Sequence, residues 1–264
     1  VRRVLDNPFA HGELALGRRR ALGKALGRAR YDHAFVLPNT WKSALIPFLA
    51  RIPLRTGYIG ELRLFLLNDA RFLDKKALPR MVERYAQLAE RPGDAPRRPL
   101  PHPRLTVTAD AAAQALARLG AVPQKPIAAF GIGAEYGPAK RWPAAHFAAL
   151  AQELAASHEV WLFGSAKDTA IGEEIALLSQ GAARNLCGHT DLSTAIDLLS
   201  LAHIVVCNDS GLMHVAAALE RPLVAVFGSS SPDFTPPLSD KAQTVHLDLP
   251  CSPCFERVCP LGHF

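Results

Sequence analysis

The sequence predicts an α/β protein of two lobes, each carrying a parallel sheet. Three observations predict it. Beyond residue 106, short apolar runs alternate with helical stretches of about a dozen residues, the pattern of repeated strand–helix–strand units. Those runs are continuously apolar, which suits strands covered on both faces. Finally, PGDAPRRPLPHPRL (92–105) places five Pro in 14 residues; such a stretch disfavours helix, cannot serve a central strand and reads as a linker. The expected domains are 1–105, an incomplete first lobe with its linker, and 106–264, a second lobe.

In the first lobe, helices are expected at 13–29, 41–50 and 78–90, and a strand at HAFVLP (33–38). A complete lobe of this kind opens with a strand, a Gly-containing turn and a helix. Here VRRVLDNP leads straight to a polar loop, so the lobe is expected to lack its beginning; CPLGHF carries no stop signal either. In the second lobe, TVTADAAAQALARLG (106–120) reads as a helix ended by Gly120, and PIAAFGI (126–132) as a buried strand. PAAHFAALAQELAAS (143–157) is a helix with Pro143 in its first turn, where the missing N–H costs nothing. EVWLFG (159–164) is a strand, 167–180 a helix, 184–187 a short strand, and DLSTAIDLLSLA (191–202) a helix with an acidic start. HIVVCN (203–208), GLMHVAAALE (211–220) and PLVAVFG (222–228) continue as strand, helix and strand.

Composition narrows the classes further. Of 264 residues, 49% are hydrophobic and 20% charged, enough for a sizeable core and unlike a disordered chain. No run approaches the roughly 18–20 apolar residues of a membrane span. Residues 1–20 hold five Arg and no apolar block, unlike a secretory signal. The net charge of +6 suits anionic partners; the basic residues are dispersed without interleaved aromatics, so no nucleic-acid partner is expected. Cys187 and Cys207 lie in apolar strand-like runs and read as small buried hydrophobes. An odd total of five Cys points to a reducing compartment. Cys251, Cys254, Cys259 and His263 form C-x2-C-x4-C-x3-H, either a cramped zinc knuckle or, the favoured reading, free thiols in a loop.

Chemistry is expected where strands end. CNDSGLMHVAAALERP (207–222) ends a strand and opens a helix, whose free N–H groups and positive end suit a phosphate. Gly211 lets a ligand approach the backbone, Ser210 offers a hydroxyl, and His214 follows one turn on; the bland alternative is a helix cap at Asp209 or Ser210 and a core histidine. FGIGAEYGPAKRWP (130–143) fails the dinucleotide fingerprint, because Gly131, Gly133 and Gly137 are spaced one residue too far, and it is no phosphate-binding P-loop. It leaves Glu135, Lys140 and Arg141 on a loop at the ligand edge, with Lys140 a natural counter-charge for a diphosphate or a solvated surface group. Asp168, in LFGSAKD (162–168), either accepts from ribose hydroxyls or caps a helix. Asn39, Lys42 and Arg63 punctuate an apolar stretch past the first strand, as anion-binding groups or plain surface charge.

Together, YDHAFVLPNTWKSALIPF, RTGYIGELR, LLNDARFLDK, MVERYAQLA, GAEYGPAKRWP, LFGSAKD, NDSGLMHVAAAL and SSPDFTPPLS resemble the bacterial heptosyltransferases of lipopolysaccharide core synthesis. The resemblance spans nearly the whole chain. It implies a GT-B fold of two Rossmann-like lobes, and inverting transfer of heptose from ADP-L-glycero-β-D-manno-heptose to the first heptose of the inner core. It implies no cofactor and no obligatory metal, and a place on the cytoplasmic face of the inner membrane with peripheral contact to it. It puts Lys140 beside the donor diphosphate as the catalytic group, and Asp209, Ser210, Gly211 and His214 on the donor-binding helix motif. Glu135 and Asp168 match donor-side contacts, and Asn39, Lys42 and Arg63 acceptor-side groups. The family's Gly-Asp loop, whose Asp is the expected general base, has no counterpart in these 264 residues. The alternatives are a transferase of the same fold with another acceptor, a nucleotide-linked dehydrogenase, which the failed fingerprint disfavours, and a donor-binding fragment without turnover.

Overall fold

A computed structural model describes residues 4–10 and 12–263; the first three residues of VRRVLDNP and the last of CPLGHF lie outside them. The chain divides into two compact units, Val1–Leu100 and Pro101–Phe264.

The first unit holds α1 (Leu16–Gly27), β1 (His33–Val36), α2 (Trp41–Leu49), β2 (Leu54–Tyr58), β3 (Asp69–Arg71) and α3 (Met81–Ala89), with a 3-10 turn at Arg63–Phe65. The strands form a three-stranded parallel sheet in the order β1-β2-β3 over a small core of Val36, Ala44 and Leu67. Thr40 caps α2 by accepting from the Ser43 N–H, as a β-region Thr before a helix should. The sequence reading misses β2 and β3. Both are short and polar, LRTGY and DAR, and their polar side chains are satisfied locally: the Thr56 hydroxyl donates to Asp69 Oδ2 at 2.7 Å and lies 2.7 Å from His33 Nε2. No periodicity announces such strands.

The second unit holds α4 (Ala109–Leu119), β4 (Ile127–Gly131), α5 (Ala144–Leu154), β5 (Glu159–Phe163), α6 (Thr169–Leu178), β6 (Ala183–Asn185), α7 (Leu192–Leu199), β7 (Ala202–Asn208), α8 (Gly211–Ala218), β8 (Leu223–Phe227) and β9 (Ala242–His246). Its six strands are all parallel, in the order β6-β5-β4-β7-β8-β9. The continuous apolar strands are explained by alternation into two cores. Ile127, Ala129, Trp161, Phe163, Val205 and Cys207 face one layer with α4, α7 and α8; Ala128, Phe130, Val160, Leu162 and Val206 face the other with α5 and α6. Both faces are covered, as in a doubly wound sheet. The expected elements appear with ends shifted by a few residues, Gly120 closes α4 in left-handed conformation (φ 58°) and Asp191 caps α7. The strand β9, AQTVH, is largely exposed at the sheet edge and was invisible to apolar-run reasoning.

The strand order places a switch point between β4 and β7. From β4 the chain builds outward through β5 and β6, then returns to add β7, β8 and β9 on the other side. Ligands of open α/β sheets bind beyond the carboxyl ends of the strands at such a point.

Candidate functional site

Two loops leave the sheet at that point, one after β4 and one after β7. They meet at Asp209, the first residue past β7, whose side chain is 5% exposed. Its Oδ2 accepts from Lys140 Nζ at 2.5 Å and from the Ser230 hydroxyl at 2.6 Å. One carboxylate thus ties together the loops after β4, β7 and β8. Lys140 sits at the end of a 3-10 turn, Pro138–Lys140, with Tyr136's ring 5.4 Å from its ammonium. Asp209 takes one of the ammonium's three donors.

Asn208, fully buried, locks the same junction. Its Oδ1 accepts from the Trp142 N–H and its Nδ2 donates to the Ile132 carbonyl, both at 2.8 Å. Both ends of the Lys140 loop are thereby fastened to the end of β7. The segment after β8 closes in as well, with the Ser229 N–H donating to the Ala139 carbonyl at 3.0 Å. A Cβ on Gly228 would collide with that same carbonyl, so only glycine lets the two loops approach this closely.

The start of α8 has the features of an anion seat. Ser210 stands at the N-cap in extended conformation, but its side chain makes no cap bond. Its Oγ is buried with no hydrogen-bond partner among the described residues, and so is Ser229 Oγ. Buried hydroxyls of this kind are costly unless something satisfies them. A Cβ at Gly211 would meet no atom of the described residues within 4 Å, so packing does not demand glycine there. His214, one turn on, is exposed rather than packed in the core. Partial desolvation holds its imidazole below the usual histidine range, with Asp209 pulling it up and Lys140 pushing it down. The field of Asp209 raises the ring's affinity for a proton, so Asp209→Asn should lower its titration point further; a rise in an NMR pH titration of the ring would contradict this field.

The remaining expected residues separate. Asp168 is buried and engaged: Oδ2 accepts from the Ser165 N–H at 2.9 Å and hydroxyl at 2.8 Å, and Oδ1 lies 3.4 Å from Arg141 Nη2. It is the third residue of a capping box, the helix-capping alternative weighed from the sequence, and it orders the loop and Arg141. Glu135 is exposed and pairs with Lys167 at 2.7 Å. In the first unit, Asn39 lines a cleft of about 400 Å³ with Thr40, Glu61, Phe72 and Lys75, beyond the carboxyl ends of β1, β2 and β3. Lys42 instead donates to the Gly12 carbonyl at 2.9 Å. Arg63 requires a correction. It is fully buried, its guanidinium donating to the Tyr58 and Pro38 carbonyls and, at 3.0 Å, to Asn39 Oδ1. A guanidinium spent on carbonyls does not face an acceptor; it positions Asn39.

Sequence reasoning missed Asn208, Ser229 and Ser230. The serine run SSSPDF at the end of β8 was the available sign, since it stands at a strand's carboxyl end. It also missed where the cysteine-rich tail goes: Tyr136 OH donates to the Phe255 carbonyl at 2.6 Å and the Ala139 N–H to the Arg257 carbonyl at 3.1 Å, so the tail braces the Lys140 loop. All five thiols are free, Cys251 Sγ lies 3.8 Å from His263 Nδ1, and among the described residues no three His, Cys, Asp or Glu are grouped to hold a metal. Burial, aided by Asp168, pushes the Cys187 thiol up to about 12, and burial pushes Cys207 up too; neither is a nucleophile at neutral pH.

The model of glycosyltransferase family 9 (heptosyltransferase) matches residues 19–264. The chain is 52% identical over 258 residues to lipopolysaccharide heptosyltransferase 2 of Salmonella typhimurium, covering 94% of this chain and 74% of that protein. It is 50% identical, with the same coverage, to the protein of that name from Escherichia coli K12. The solved structure of E. coli ADP-heptose LPS heptosyltransferase II superposes with a TM-score of 0.83 at 49% identity, over 88% of this chain and 73% of that one. The fold is accordingly of the GT-B type, and the chain belongs to glycosyltransferase family 9, the heptosyltransferases.

Proposed function

We propose that the chain moves heptose from ADP-L-glycero-β-D-manno-heptose to the first heptose of the lipopolysaccharide inner core. It is a glycosyltransferase, and relatives at about half identity over nearly its whole length carry the name heptosyltransferase 2. In this reading the second unit holds the donor, and the first, through the cleft at Asn39, the acceptor. The reaction belongs on the cytoplasmic face of the inner membrane; no helix among the described residues is long and apolar enough to cross it.

The single observation behind the donor assignment is the meeting of Lys140 and Asp209 at the β4–β7 switch point, beside the unpartnered Ser210 hydroxyl. As the acceptor oxygen bonds to C1 of the heptose, the bond from C1 to the diphosphate oxygen breaks and ADP leaves with added negative charge. Lys140, the Ser210 hydroxyl and the free N–H groups opening α8 neutralise that charge where it develops. They do so from a site held rigid by Asn208 and Asp209, so little reorganisation accompanies the step. The acceptor hydroxyl must also give its proton to a positioned base; the donor-side residues act on the leaving group.

Gly211→Ala tests this seat without touching a charge. The new methyl meets no atom of the described residues, so the melting temperature should hold, while ADP affinity measured by calorimetry should fall about tenfold, a loss of about 1.4 kcal/mol. Unchanged ADP affinity would remove the phosphate from the start of α8.

A further inference from the structure

The amino edge of the second sheet, opposite the edge where Lys140 and Asp209 meet, brings two histidines together. β5 and β7 flank β4, and a histidine stands at the entry of each: His158 just before β5, and His203 as the second residue of β7. The two are 45 positions apart, yet His158 Nε2 lies 3.0 Å from His203 Nδ1, with ring centroids 5.2 Å apart. The rings therefore reach across the start of β4, over two strand spacings or about 9–10 Å.

Backbone and neighbours aim both rings at this meeting. The register of β7 slips against β4 there: Ile127 pairs with Ala202 but Ala128 with Ile204, so His203 is an extra residue, and a bulge of this kind re-aims its side chain. On the other side, Ser157 gives its one hydroxyl proton to the Leu154 carbonyl at 3.3 Å, so its 2.8 Å contact with His158 Nδ1 is donated by the ring. His158 then carries its proton on Nδ1, and the Nε2 lone pair faces His203. An outer hydrogen bond that fixes tautomer and orientation in this way prepares a histidine to hold a metal ion. Each ring also follows a helix: α5 ends at Leu154 and α7 at Leu199, four residues before His158 and His203 respectively. The carbonyl ends of helices carry negative partial charge and favour a cation.

We infer that His158 and His203 form a binding site for a borderline divalent metal ion of the zinc, nickel and copper class. Imidazole suits these ions, whereas magnesium and calcium take oxygen ligands. A tetrahedral ion with Zn–N bonds of about 2.0–2.1 Å sets two ligand nitrogens about 3.3–3.4 Å apart. From 3.0 Å, the pair needs to open by only a few tenths of an ångström. On binding, the proton on His203 moves from Nδ1 to Nε2 and frees the Nδ1 lone pair, so each ring keeps one proton. His158 Nε2 and His203 Nδ1 become the protein ligands. The neighbouring Glu159 is engaged elsewhere, its Oε1 accepting from the Gln124 N–H at 2.6 Å, and among the described residues no third His, Cys, Asp or Glu joins a metal-holding group. Water completes the shell, so the ion is exchangeable. Once bound, it ties the entry of β5 to that of β7.

The test is calorimetric titration of the chelator-treated full chain with zinc, read beside a thermal melt. One equivalent is expected that raises the melting temperature and that His158→Gln and His203→Gln each weaken more than about a hundredfold. Without zinc, both variants should melt within about 2 °C of the wild type, as changes at the surface do. Ser157→Ala keeps both rings but releases His158 Nδ1, and should weaken zinc about 10–100-fold; it decides the matter if a histidine variant fails to fold. The thiols of the tail are separated by Cys251→Ser with Cys259→Ser, which should keep this equivalent. Failure of the wild type to bind zinc, undiminished binding by the histidine variants, equal affinity for magnesium, or an equivalent lost with the tail cysteines alone overturns the site.

Discussion

Replacing Lys140 by Ala in the intact enzyme should lower turnover about 10²–10³-fold, a loss of roughly 2.7–4 kcal/mol of transition-state stabilisation. The same change has a second effect that must be separated from the first. Among the described residues, Lys140 is the only cation paired with Asp209, a carboxylate 5% exposed, and stripping one partner from a buried pair leaves an uncompensated charge. The Ser230 hydroxyl remains on Asp209, and the Lys140 side chain is itself 17% exposed. The destabilisation should therefore stay below the roughly 3–5 kcal/mol of a fully buried pair. Adding Asp209→Asn removes the stranded charge. The double variant should regain most of the lost melting temperature while its turnover stays low. Turnover of the single variant within a few-fold of wild type at saturating donor would show that the ammonium does not stabilise the leaving group.

The largest loss of stability is expected from Asn208→Ala. The truncation strands the Trp142 N–H and the Ile132 carbonyl, both bonded at 2.8 Å by a side chain with no solvent exposure. Each stranded buried group costs about 1–3 kcal/mol, so a total of about 2–6 kcal/mol is expected, or roughly 4–24 °C in melting temperature for a unit of this size. ADP affinity should fall as well, because Asn208 fastens both ends of the loop that aims Lys140. A thermal melt unchanged within 1–2 °C would mean that water replaces the side chain and that the loop needs no such fastening.

How much of this was legible depended on the kind of signal each residue carries. Apolar strands such as IAAFG and HIVVCN declare themselves because burial on both faces leaves no room for polar side chains. From their spacing with the intervening helices, the parallel second sheet and its ligand edge followed. Lys140, Asp209, Ser210 and Gly211 were singled out because they stand just past such strands. Asn208 was not, since an Asn at a strand end reads as a turn residue until the carbonyl and amide it bridges are known. Arg63 was misread for the converse reason. In sequence it is an Arg in a loop; only folding surrounds it with the Tyr58 and Pro38 carbonyls, and burial then lowers its affinity for a proton.

The sequence by itself determined the two α/β units, the alternation of strand and helix, the family and the strand ends proposed to hold a diphosphate. These are local properties: period, propensity and motif act between neighbours along the chain. Only the tertiary structure decided which charges meet. Lys140 and Asp209 are separated by 69 positions and joined at 2.5 Å because β7 returns to pair with β4 after β5 and β6 have been laid down on its other side. A side chain's partners, and so whether a charge anchors a loop or neutralises a leaving group, are set by contacts that no stretch of sequence contains.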